Sequence, residues 1–301
     1  MSRRTHKTLL ALSLLPLIAA CQPADAPQGT AAPSASPDTA PAPADNAAFP
    51  TDVSPAGDAV TTFLNSIYGP RAKVAGEWTG VPADASFHAK EGEASDGAVT
   101  RRVCEQETTE YNGQPAVLLA VCGIPKDFGH PTPGITDFFL LQGQPLASVA
   151  KAHLQQFGSM GSVGEIDSER FGANLPGFIV EGGFTGQGHT EVKQTLLLPK
   201  DGGFHEAASF LSALHDNVLR EGCKGDSAIC PPGKAYDIEF DLDIDDGNKS
   251  ATAYPLTVHE EGKACGKSVD TRHTLTLDSA TLKYNVPAAL RRELACEVPA
   301  S

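Results

Sequence analysis

Tyr236-Asp-Ile-Glu-Phe-Asp-Leu-Asp-Ile-Asp245 is the stretch that decides the fold class. Tyr236, Ile238, Phe240, Leu242 and Ile244 alternate without a break with Asp237, Glu239, Asp241, Asp243 and Asp245. A period of two belongs to a strand with one dry and one wet face. Asp246-Gly247-Asn248 then reads as a turn, and Ala251 to Val258 as the hairpin partner. His273 to Leu277 and Thr281 to Val286 read as two further short strands, and Pro287 opens a small helix.

Upstream the pattern is mixed. Ala116 to Cys122 (AVLLAVC) reads as a buried strand, and a second apolar run spans Asp137 to Leu141. Between them the loop Gly123 to Gly134 carries Phe128, Gly129 and His130. Pro145 opens an expected helix with Leu146, Val149, Ala150, Leu154 and Phe157 on one face, closed by Gly158. The order then recurs: a strand at Gly177 to Glu181, the turn Gly183 to His189 (GFTGQGH), and a strand at Glu191 to Leu198. An expected helix follows from Phe204 to Glu221, aligning Phe204, Ala208, Leu211, Leu214 and Val218, with Gly222 as its cap. The body begins with another helix, where Ser54-Pro55 precedes Val60, Phe63, Leu64, Ile67 and Tyr68, and Gly69-Pro70 stops it. Val74 to Arg102 reads as irregular or weakly stranded. The expectation is a strand-rich α+β body with two strand–loop–strand–helix units over residues 51–222. A β-rich part over 234–301 completes it, in the same domain or a second one.

The chain has 301 residues, and 37 Asp+Glu against 23 Lys+Arg give a formal charge of -14. At 41% hydrophobic it has the material for a core, which excludes wholesale disorder. The negative charge excludes nucleic acid, whose phosphates need cations.

Arg3, Arg4 and Lys7 precede the apolar run Leu9 to Ile18, which is too short to span a bilayer and has the length of a signal-peptide core. The run Leu17-Ile18-Ala19-Ala20-Cys21 resembles the lipobox of bacterial lipoproteins. That resemblance covers the leader alone. It implies cleavage after residue 20, a lipid anchor on Cys21, and a body facing the periplasm. In that family Asp after the cysteine favours the inner membrane; Gln22 stands here, which implies the outer membrane. Cleavage removes three basic residues and no acids, taking the charge from -14 to -17. Residues 21–50 then form a tether, for ten alanines and seven prolines between Gln22 and Pro50 cannot build a core.

Cys104, Cys122, Cys223, Cys230, Cys265 and Cys296 are six cysteines, an even number that reads as disulfides in an exported chain. Nearness in sequence favours 104–122, 223–230 and 265–296. Metal thiolates are not expected, since no C-x-x-C pair exists.

The familiar catalytic motifs fail on their context. Asp127-Phe128-Gly129 lacks every other kinase element. His205-Glu206-Ala207-Ala208-Ser209 has serine where a zinc site needs its second histidine, and reads as part of an amphipathic helix. Ser159 and Ser162 sit in no G-x-S-x-G. Asp241-x-Asp243-x-Asp245 opens like a calcium loop, but Asp246 takes the place of the turn glycine and Thr252 that of the bidentate glutamate. No cofactor, calcium included, is expected.

Two candidate contact surfaces remain. Asp237, Glu239, Asp241, Asp243 and Asp245 would form an acidic face suited to a basic protein. Phe128, His130, Phe184 and His189 would sit on matching loops. Together these features point to a non-catalytic binding module, in sharper form an inhibitor or immunity lipoprotein acting on a cationic toxin or cell-wall hydrolase. The alternatives are a periplasmic hydrolase whose site is not contiguous in sequence, and a structural or assembly factor of the envelope.

Overall fold

A computed structural model of the chain describes residues 55–80, 82, 99–186, 188–216 and 236–292. The segments expected to be a leader and a tether, with the expected anchor Cys21, lie outside them. So do Cys223, Cys230 and Cys296.

The first element is the expected helix, α1 (Pro55–Tyr68). Val60, Phe63 and Leu64 fall on one side of it and are buried, and Gly69 turns the chain away with a φ of 87°. Five strands then form an antiparallel meander: β1 (Trp78–Thr79), β2 (Val99–Tyr111), β3 (Gln114–Pro125), β4 (Gly134–Gln142) and β5 (Ala147–Phe157). A second meander of seven strands follows. It comprises β6 (Glu165–Arg170), β7 (Pro176–Gly186), β8 (His189–Lys200), β9 (Gly203–Asp216), β10 (Tyr236–Ile244), β11 (Leu256–Ala264) and β12 (Lys267–Leu275). The hairpin β13 (Leu277–Asp278) and β14 (Lys283–Tyr284) and a 3-10 turn at Ala288–Arg291 complete the described chain.

β3 and β4 are buried on both faces, which is why they read as unbroken apolar runs. Leu118, Ala120, Phe138 and Leu140 pack on Phe178, Val180 and Leu197 of the second sheet. The alternate residues Val117, Leu119, Val121, Phe139 and Leu141 pack on Val60, Phe63 and Leu64 of α1. Burying each large side chain contributes roughly 1.5–3 kcal/mol. The other half of the second sheet holds its own core, in which Ile238, Phe240, Leu256 and Val258 meet Tyr284 and Leu290.

Two expected helices are strands, so the fold is mostly β rather than α+β. Pro145 to Phe157 holds β5, and Phe204 to Asp216 belongs to β9, the remainder of that expected helix lying outside the described residues. β-Bulges explain the misreading. β5 carries an extra residue at Val149 and another at His153–Leu154, and β9 carries extras at Ala207 and Ser212. Each bulge turns same-face spacing from two residues into three, and apolar positions three or four apart imitate a helix. His205 therefore lies on a strand, with Nε2 3.1 Å from the Lys200 carbonyl, and not on a capped amphipathic helix.

Smaller differences concern boundaries. The segment read as irregular or weakly stranded holds β1 and the start of β2 at Val99, and the hairpin partner of β10 starts at Leu256 rather than Ala251. The strand read at His273 to Leu277 is divided between the end of the longer β12 and the first residue of β13, and the one at Thr281 to Val286 shrinks to β14. The intervals 51–222 and 234–301 are joined in one sheet, since Asp237, Ile238 and Glu239 pair with His215, Leu214 and Ala213.

Candidate functional site

The alternation that opened the sequence reading becomes the wet face of the second sheet. Ile238 and Phe240 are buried while Asp237, Glu239, Asp241 and Asp243 are exposed, and Asp245 is exposed just past the strand. Pairing extends this face sideways. Glu239 lies opposite Glu261 of β11, which lies opposite Asp270 of β12, so three carboxylates stand in one row. Asp237 faces Lys263, and Asp241 faces His259, which in turn faces Arg272. Asp237, Glu239, Glu261, Gly262, Val269 and Asp270 line an open depression of about 480 Å³. Its floor requires glycine. Gly262 has a φ of 130°, and a Cβ there would stand 2.1 Å from the Asp237 carbonyl oxygen.

Two histidines sit among these carboxylates. His215 on β9 places Nδ1 2.9 Å from Asp237 and Nε2 3.1 Å from Glu239. His259 places Nε2 2.8 Å from Asp270 and Nδ1 3.9 Å from Glu261. Burial raises the pKa of Glu239; His215 opposes that rise, and Asp241, Asp237 and Glu181 add to it. Among the described residues no group of three or more His, Cys, Asp or Glu has the arrangement to hold a metal ion.

The second candidate surface lies at the loop end of the first sheet. The His130 and Phe184 rings meet edge to face with centroids 5.1 Å apart. The Met160 N–H donates to the His130 carbonyl at 3.1 Å, and the Gly161 N–H to the Thr132 carbonyl at 2.8 Å. The Ser159 hydroxyl donates to the Gly183 carbonyl at 2.8 Å, tying the β7–β8 hairpin to the same platform. Phe128 covers Gly161, where a Cβ would approach its ring to 2.8 Å. Ile124, Phe128, Met160 and Phe184 remain 41–55% exposed, a local concentration of large apolar side chains. Three of the four loop candidates, Phe128, His130 and Phe184, are thus parts of one platform. His189 pairs with Gly186 at the tip of the β7–β8 hairpin and faces Asp216, with Nδ1 3.9 Å from its carboxylate.

Of the cysteines, Cys104 and Cys122 form a disulfide between β2 and β3, with Cα atoms 5.6 Å apart. Cys265 is also disulfide-bonded. The Tyr236 hydroxyl lies 3.3 Å from the Cys265 sulfur.

A buried ion pair escaped the sequence reading. Arg101 on β2 and Asp137 on β4 are wholly buried and paired, and the Arg101 Nε–H donates to the Gly80 carbonyl at 2.6 Å. Tyr68 of α1 donates to Asp137 at 2.6 Å and lies under the Arg101 guanidinium. The Leu154 N–H donates to the other Asp137 oxygen at 2.8 Å, from the bulge of β5, where Leu154 has a φ of 55°. The only sign of it in the sequence was an acid at the head of Phe138-Phe139-Leu140-Leu141. Its partners lie far away along the chain. Glu260, itself buried, pairs with the part-exposed Arg292, and His273 Nε2 lies 3.0 Å from the carboxylate. Both join elements around a buried carboxylate, so their work is to hold the fold.

Comparison with known protein families, with curated proteins and with solved structures finds no match for this chain.

Proposed function

We propose that the chain is a lipid-anchored, non-catalytic binding module of the bacterial envelope. It is held to the outer membrane through Cys21 and faces the periplasm. Its partner is a basic protein, which docks on the outer face of β10, β11 and β12. The observation that carries this reading is the row Glu239, Glu261 and Asp270. Like charges directly opposite one another in a sheet cost stability, and a cationic partner turns that cost into binding energy. On this face six carboxylates (Asp237, Glu239, Asp241, Asp243, Glu261 and Asp270) stand against Lys263 and Arg272 and two histidines. The platform of Phe128, Met160 and Phe184 offers the apolar contact that an acidic face lacks.

The sharper form of the reading is an inhibitor or immunity protein acting on a cationic toxin or cell-wall hydrolase. The test passes basic and acidic hydrolases of the envelope over the immobilised, oxidised chain and assays each enzyme with the chain added. Selective retention of a basic enzyme, released by salt and suppressed in activity, supports the inhibitor. Retention without suppression leaves a docking module. No preference for basic enzymes overturns both.

A further inference from the structure

Four strands end the two sheets among the described residues, and three of them are blunted. β1 has two residues. β5 is interrupted by two bulges, and its Lys151 N–H donates to the Gly202 carbonyl at 3.0 Å. β6 has six residues and lies against β2, where the Ser168 hydroxyl and N–H bond the Glu105 carboxylate. Proteins commonly protect their sheet edges in these ways.

β12 differs. It is nine residues long, contains no proline, and keeps unbroken register with β11 from Leu256 opposite Leu275 to Ala264 opposite Lys267. No strand pairs with its other side among the described residues. Its outward N–H and C=O groups are a template for another extended chain.

The sequence of that edge, Lys267-Ser-Val-Asp-Thr-Arg-His-Thr-Leu275, complements itself. Laid antiparallel about Thr271, Asp270 falls opposite Arg272 of a second copy, and the contact occurs twice. Ser268 falls opposite Thr274, and Val269 opposite His273. Asp270 and Arg272 point to the same face, since their β11 partners Glu261 and His259 do. Within one copy Arg272 lies across from His259 and forms no ion pair with a carboxylate among the described residues. The second copy's Asp270 supplies the missing countercharge.

We infer that β12 is a self-association edge. Two copies pair through antiparallel β12 strands about a two-fold axis at Thr271, joining two seven-stranded sheets into one continuous sheet. The proposal stands apart from the choice of basic partner, though pairing would place the two acidic faces side by side.

The test uses the full chain carrying Thr271→Cys, because directly opposed residues in an antiparallel pair have Cβ atoms roughly 4.5–5.5 Å apart, within reach of a disulfide after small adjustment. On a non-reducing gel this variant should give a covalent dimer several-fold above a Thr281→Cys control in the exposed β13–β14 turn. Adding Asp270→Arg or Arg272→Asp alone should cut the yield, and the double exchange D270R/R272D should restore it. Rescue by the double exchange separates loss of pairing from loss of folding. A dimer yield no greater than that of the control overturns the proposal, as does a double exchange that recovers nothing.

Discussion

Glu239 and Glu261 face each other directly across the β10–β11 pair, two carboxylates in register on one exposed face. A sheet selected for stability alone would place a cation at one of these positions, as it does where Asp237 faces Lys263. Replacing Glu261 with Gln should therefore raise stability by about 0.2–1 kcal/mol. Thermal melts check this, with the gain shrinking at high salt. Repulsion needs both charges, so the gain fades as acid protonates Glu239, whose pKa is raised by burial first and then by Asp241, Asp237 and Glu181. An equal gain at low pH would point to a cause other than repulsion.

Asp137 behaves in the opposite sense. Burial pushes its pKa up, but His153, Arg101, Tyr68 and the Leu154 N–H together outweigh burial and hold it below the ordinary carboxylate value. A lowered folded pKa contributes stability that is complete above the unfolded value, near 3.9, and is lost as pH falls toward the folded one. Asp137→Ala leaves Arg101 buried without its counterion and should cost about 3–5 kcal/mol at neutral pH. Urea titration measures the loss, and a stability curve that loses its acid slope in the variant would place the linkage on Asp137.

The depression between β10 and β11 depends on one glycine. Gly262→Ala drives a methyl group into the Asp237 carbonyl and imposes a left-handed φ on a residue with a side chain. The expected cost is about 2 kcal/mol or more, read by thermal melts, with loss of amide protection along β10 and β11 in hydrogen exchange. A neutral substitution would mean that the strands separate there at little cost.

The bond between Cys104 and Cys122 spans a sequence separation of 18 residues. Loop-closure entropy puts its contribution at about 3 kcal/mol. The Cys104→Ala/Cys122→Ala pair should lower the urea midpoint accordingly and leave the far-ultraviolet spectrum of the strands in place.

Legibility of the fold followed the number of wet faces and the regularity of each strand. Residues 236–245 announce themselves because one face is charged and the other apolar. β3 and β4 are legible because both faces are dry. β5 and β9 were not, because the extra residues at Val149, Leu154, Ala207 and Ser212 shift the phase of the pattern, and their register is set only by pairing with β4 and β8. The same limit governs the candidate site. The acids of β10 were visible in order, but the row Glu239, Glu261 and Asp270 exists only through pairing, as does the meeting of His215 with Asp237. Phe128, His130 and Phe184 could be suspected from their loops, yet nothing local places Met160 beside them.

The central claim is electrostatic docking on the outer face of β10–β12. It is tested most directly by the affinity of a basic cell-wall hydrolase for the chain and for its Glu239→Lys/Glu261→Lys variant, each in low and in high salt. The account predicts binding by the unaltered chain that weakens roughly tenfold or more in high salt, and a similar loss in the variant at low salt. Binding that ignores both the salt and the charge reversal, or no binding at all, would contradict it.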